Sequence, residues 1–96
     1  MENVWIIGAG GIAIEYAKVL DALGVNYIVI GRGQKNAERF NSQIYKPVIT
    51  GGLESFINES PVLPDMAIIA VNVAELSNTS IQLMKYGVRK ILVENE

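Results

Sequence analysis

Ile6-Ile7-Gly8-Ala9-Gly10-Gly11-Ile12-Ala13 is the stretch on which the reading of the fold turns. Before it, Asn3 to Ile7 is short, β-branched and aromatic, the composition of a buried strand. Beyond Gly8 the apolar residues change to helical spacing, with Ile12, Ala13, Tyr16, Ala17, Leu20 and Leu23 recurring at intervals of three and four. Glu15, Lys18 and Asp21 take other positions of the same turns, and Gly24 supplies a stop. The local reading is a strand, a glycine turn and an amphipathic helix.

Working outward, Tyr27-Ile28-Val29-Ile30 is apolar at every position, as an interior parallel strand covered on both faces should be, and Gly31-Arg32-Gly33 ends it. Gln34 to Gln43 is polar with Ala37 and Phe40 three apart, which predicts a helix. A short strand is expected at Tyr45-Lys46-Pro47-Val48-Ile49, at a sheet edge because Pro47 cannot donate a ladder hydrogen bond. A brief helix over Leu53 to Asn58 enters through Gly51-Gly52, and Pro61 to Pro64 reads as a loop. Met66-Ala67-Ile68-Ile69-Ala70-Val71 is another fully apolar strand, Glu75 to Tyr86 a helix closed by Gly87, and Lys90-Ile91-Leu92-Val93 a last strand. Strands alternating with helices imply an α/β domain with right-handed crossovers. The expectation is a three-layer Rossmann-type domain over residues 1–96, with a five-stranded parallel sheet in the order 3-2-1-4-5.

Composition removes several function classes. Half of the 96 residues are apolar, enough for one modest core. The net charge of −2 arises from 10 acidic and 8 basic residues spread along the chain, which argues against nucleic acid or an anionic membrane as partner. With no cysteine and no histidine, thiolate chemistry and the commonest metal ligand and general base are missing, so no metal site is expected. Met1-Glu2-Asn3 lacks the basic start of a secretory signal, and no apolar run approaches the roughly 20 residues of a bilayer span. A cytoplasmic location is expected.

Gly8-x-Gly10-x-x-Ala13 gains meaning from its place between a strand and a helix. Gly8 permits the tight turn, Gly10 lets backbone approach a diphosphate, and small Ala13 lets the helix pack close on the strand. Gly11 and Ile12 open the helix, where backbone N–H groups meet an anion. The alternative is that the glycines serve only a compact turn. About 20 residues further on, where an acid would bond the ribose 2′-hydroxyl of NAD, the chain reads Gly31-Arg32-Gly33-Gln34-Lys35. Arg32 there suits a 2′-phosphate, which favours NADP as cofactor over NAD; the bland alternative is that Arg32 and Lys35 are solvated loop charges. The missing acid also counts against an S-adenosylmethionine site. Val71 and Asn72, at the end of the fourth expected strand, lie where a dinucleotide crosses the sheet. Asn72 either bonds ribose or diphosphate or caps the next helix. Glu75 is read as solvated, and Trp5 and Tyr27 as core.

These residues together give the chain a resemblance to the N-terminal domain of the glucose-fructose oxidoreductase and inositol dehydrogenase family. It rests on Gly8-Ala9-Gly10-Gly11-Ile12-Ala13, Gly31-Arg32 with Ala37-Glu38-Arg39-Phe40, Asp65 to Val71, and Gly87-Val88-Arg89-Lys90-Ile91-Leu92-Val93-Glu94. The resemblance implies an NAD(P)-dependent oxidoreductase acting on a sugar, polyol or sugar nucleotide. It also implies a substrate domain following the stretch seen here, so the isolated chain is not expected to turn over. That family closes its last stretch with Glu-Lys-Pro, the lysine moving a proton near the nicotinamide. Glu94 carries over as a nicotinamide-side contact, whereas Asn95 stands in the lysine's place and no catalytic residue is assigned. A non-catalytic module that senses NAD(P) is the alternative function, and a ligand-free structural remnant a third. The last strand is expected to be left as a sheet edge that a longer parent would ordinarily cover, through which the chain can self-associate or exchange strands.

Overall fold

The structure, a computed structural model, describes residues 3–94. Its elements run β1 (Asn3–Ile7), α1 (Gly11–Leu23), β2 (Asn26–Ile30), α2 (Gln34–Ile44), α3 (Gly52–Ile57), β3 (Met66–Ile69), α4 (Val73–Tyr86) and β4 (Ile91–Val93). All strand pairs are parallel, in the order β2-β1-β3-β4.

Alternation along β1 divides the core into two layers. Val4 and Ile6 face α1 and α2, packing with Ile14, Ala17, Phe40, Val29 and Ile68. Trp5 and Ile7 face the other way, toward Leu53 of α3 and Leu83 of α4. Trp5 is 1% exposed, with Phe56 edge-on at 5.0 Å and Tyr86 stacked at 6.1 Å, so its indole is a core element. Tyr27 is equally a core residue; its hydroxyl donates to Asp21 at 2.9 Å, and burial followed by that bond pushes its pKa far above the usual phenol value.

Among the described residues the sheet has four strands and not the expected five. Tyr45 to Ile49 contributes one parallel bridge, Ile49 to Ile30, on the outer side of β2 where the third strand was expected. Two bonds make it, Ile49 N–H to the Val29 carbonyl and Gly31 N–H to the Ile49 carbonyl, both 2.8 Å. The pairing stops there for local reasons. Tyr45, in the left-handed region at φ 60°, turns the chain out of α2; Pro47 has no N–H to give; and Gly51 and Gly52, at φ 99° and 85°, bend it away after one pair. The crossover order survives, with the third strand reduced to a contact.

Candidate functional site

The carboxyl ends of β1, β2 and β3 converge where the chain reverses direction across the sheet: β1 is followed by β2 on one side and has β3 on the other. Such a switch point leaves a crevice above the strand ends. Here the crevice is a cleft of about 450 Å³, walled by the turn Gly8–Gly11, by Gly31–Gly33 after β2, by Asn36 and Arg39 of α2, by Gly52 and Leu53, and by Ala70–Asn72, Glu75 and Thr79 beyond β3.

Gly8 is dictated by strand packing before any ligand is considered. At φ +117° it sits where an L side chain is strained, and a Cβ built on it would overlap the Ala70 carbonyl oxygen, with the carbonyl carbon at 2.9 Å. Its N–H donates to the Ile30 carbonyl at 2.7 Å while Ala70 N–H donates to the Ile7 carbonyl at 2.8 Å. The glycine therefore ties the three strand ends into one floor. Gly10 has ordinary extended backbone, φ −88° and ψ −163°, and caps α1 without a side chain; no acid lies in the first turn. Among the described residues, this helix end meets the cleft through backbone, with the positive end of its dipole unopposed by a carboxylate of its own turn.

The other end of the cleft is made of charges. Arg32 Nη1 lies 2.8 Å from Glu54 Oε1, Nη2 donates to Glu54 Oε2 at 2.9 Å, and Nε donates to Glu75 Oε1 at 3.0 Å. The guanidinium thereby joins β2 to α3 and α4, and holds the Glu54 carboxyl below the usual carboxylate range. Glu75 is tied at its second oxygen by Asn72 Nδ2 at 3.0 Å, and Asn72 Oδ1 accepts the Glu75 N–H at 3.1 Å. Glu75 was read from the sequence as solvated. The structure corrects this: the half-exposed carboxylate is bonded from two sides, by Arg32 after β2 and by Asn72 at the start of α4.

Of the eight residues nominated from the sequence, Gly8, Gly10, Gly11, Arg32, Val71 and Asn72 line the cleft, and Ile12 and Glu94 do not. Asn72 caps α4, one of the two roles open to it. Glu94 follows β4 and accepts the Tyr16 hydroxyl at 2.7 Å, a bond that raises the tyrosine pKa. Asn95 lies outside the described residues. Arg39 and Asn36 were missed, although the signal was present: Ala37 and Phe40 fix the buried phase of α2, and 36 and 39 recur beside it. Arg39 forms no ion pair among the described residues.

A glycine turn between strand and helix, opening on a crevice at the switch point, is the geometry of a dinucleotide site, and the comparison with known families bears on the same stretch. Residues 3–51 match the family model described as pyridine nucleotide-disulphide oxidoreductase. The chain belongs to this family. It is thus an NAD(P)-binding, oxidoreductase-type domain of Rossmann-like α/β fold, and the matched stretch spans β1 through the bridge beside β2, including the glycine turn and both cleft arginines. The match does not name the glucose-fructose oxidoreductase and inositol dehydrogenase family. No curated protein matches the chain. No helix among the described residues is long and apolar enough to cross a membrane, and no cluster of acidic residues there is arranged to hold a metal.

Proposed function

We propose that the cleft binds NADP in preference to NAD, with the diphosphate on Gly8, Gly10, Gly11 and Ile12 and the adenosine end between Arg32 and Arg39. The observation that carries this reading is the pairing of a side-chain-free helix end with two arginines in one cleft of dinucleotide size. The two arginines differ in readiness. Arg32 is already matched by Glu54 and Glu75, so a 2′-phosphate reaches it by displacing a carboxylate, whereas Arg39 is free to meet the phosphate directly. Val71 and Asn72 line the way toward the nicotinamide. Glu94, at the same carboxyl edge of the sheet and steadied by Tyr16, stays the candidate for its far side.

The domain on this reading serves an oxidoreductase that acts on a sugar, polyol or sugar nucleotide, with substrate and proton-transfer groups supplied by a further domain. Support comes from the sequence resemblance at Ala37 to Phe40, Asp65 to Val71 and Gly87 to Glu94. The test is thermal unfolding of the chain with NADP, NAD and FAD in turn. NADP at a hundred times its dissociation constant should add about 2.7 kcal/mol of stability, and NAD at the same concentration clearly less. NAD stabilising more than NADP would assign the ribose to Glu75; no stabilisation by any of the three would overturn the reading.

A further inference from the structure

One backbone bond sets two charged side chains against each other. Gly52 N–H donates to the Gly31 carbonyl at 2.9 Å, which fixes the start of α3 beside the loop after β2. Arg32 follows the first of these glycines directly and Glu54 lies in the first turn beyond the other, so both side chains leave the same anchor. Gly52 keeps open the space in which they meet: a Cβ built on it would overlap Glu54 Oε1 and come within 2.8 Å of Arg32 Nη1. The resulting contact is two-pronged, Nη1 to Oε1 and Nη2 to Oε2, with Nε turned to Glu75. Two parallel N–H···O bonds from the tip of a guanidinium are equally the way that arginine grips two oxygens of a phosphate.

Glu54 thus stands on Arg32 where a phosphate would. The two side chains are 46% and 55% exposed, so a carboxylate released from the pair is rehydrated and the exchange costs little. Arg39, which also lines the cleft, has no such carboxylate in an ion pair among the described residues. We propose that Glu54 is a specificity-determining residue of the cleft, an internal competitor that takes on Arg32 the place of a ligand's 2′-phosphate and so limits the preference for the phosphorylated dinucleotide. This rests on the reading of the cleft as an NADP site. The bond from Nε to Glu75 does not use the tip of the guanidinium, and Glu75 is itself fixed by Asn72, so Arg32 stays oriented when Glu54 lets go. Arg39 does the selecting in the resting protein, and Arg32 joins it only to the extent that Glu54 is displaced.

The test is calorimetric titration of the full chain with 2′,5′-ADP and 5′-ADP, on wild type, Glu54→Gln, Arg32→Ala and the double variants Glu54→Gln/Arg32→Ala and Glu54→Gln/Arg39→Ala, each checked for folding by circular dichroism. Glu54→Gln should raise the affinity ratio of 2′,5′-ADP over 5′-ADP roughly two- to fivefold, the scale of a half-exposed ion pair. In the Arg32→Ala background the same substitution should bring no gain, whereas mere removal of a negative charge from the cleft would bring it with or without Arg32. In Glu54→Gln/Arg39→Ala part of the preference lost with Arg39 should return through the freed Arg32. No gain in Glu54→Gln, or a gain that persists without Arg32, overturns the competitor role; a wild type that still prefers 2′,5′-ADP then leaves the NADP reading standing. Failure of wild type to bind either ligand overturns both.

Discussion

The two ends of the cleft are built from different materials. At the turn Gly8–Gly11, four consecutive residues present backbone, held in place by the strand ends they join. At the opposite end, Arg32 of the β2 loop, Arg39 of α2, Glu54 of α3 and Glu75 of α4 present ionised side chains from four places in the chain. Gly8 at the first end cannot be altered without altering the fold, since its conformation is also the packing of β1 against β3. The second holds the two half-exposed ion pairs of Arg32, individually weak and able to change partners, with Arg39, unpaired among the described residues, beside them. On the proposed reading, a ligand is anchored at the rigid end and selected at the exchangeable one.

Substitution at Gly8 should have the largest effect. Gly8→Ala combines a strained φ with overlap of the Ala70 carbonyl and should cost about 3–5 kcal/mol of folding stability by chemical denaturation. A loss under about 1 kcal/mol would break the claim that this end is fixed by the fold. Gly10→Val sharpens the same claim from the other side. Gly10 is unstrained, so the variant should stay within about 1 kcal/mol of wild type while binding of adenosine diphosphates falls roughly a hundredfold. At the exchangeable end the expected effects shrink. Arg39→Ala should leave folding unchanged and cost roughly tenfold in affinity for a 2′-phosphorylated ligand alone, read by fluorescence titration with NADPH against NADH.

Glu54→Gln should have the smallest effect. The lowered pKa means that its ion pair contributes above the ordinary value of 4.5 and is lost as pH falls through the depressed folded value. Both partners are about half exposed, so the contribution should be below about 1 kcal/mol and fade in high salt. An acid titration of stability should therefore be slightly flatter below pH 4.5 in the variant than in wild type. A steeper titration in the variant would contradict the assignment.

The same contrast decides what the sequence could disclose. The strand-turn-helix from Asn3 to Leu23 was legible because every determinant is contiguous: a β-branched and aromatic run, glycines at fixed offsets, apolar residues at helical spacing and a terminal Gly24. The third strand was overestimated, since pattern alone does not reveal how far Tyr45, Pro47 and the Gly51-Gly52 bend shorten a ladder. Arg32 was found by position, but its partners lie 22 and 43 residues away and become visible only when α3 and α4 fold over β2. Glu75 was misjudged for that reason. Glu94 was nominated by resemblance, and its partner Tyr16 is 78 residues distant.

The central claim is that one end of the cleft anchors and the other selects. Calorimetric titration with 5′-ADP and 2′,5′-ADP, on wild type, Gly10→Val and Arg39→Ala, tests it most directly. Wild type should prefer the 2′-phosphorylated ligand, Gly10→Val should lose both ligands, and Arg39→Ala should bind both equally. Equal binding of the two ligands by wild type, or a preference that survives in Arg39→Ala, would contradict it.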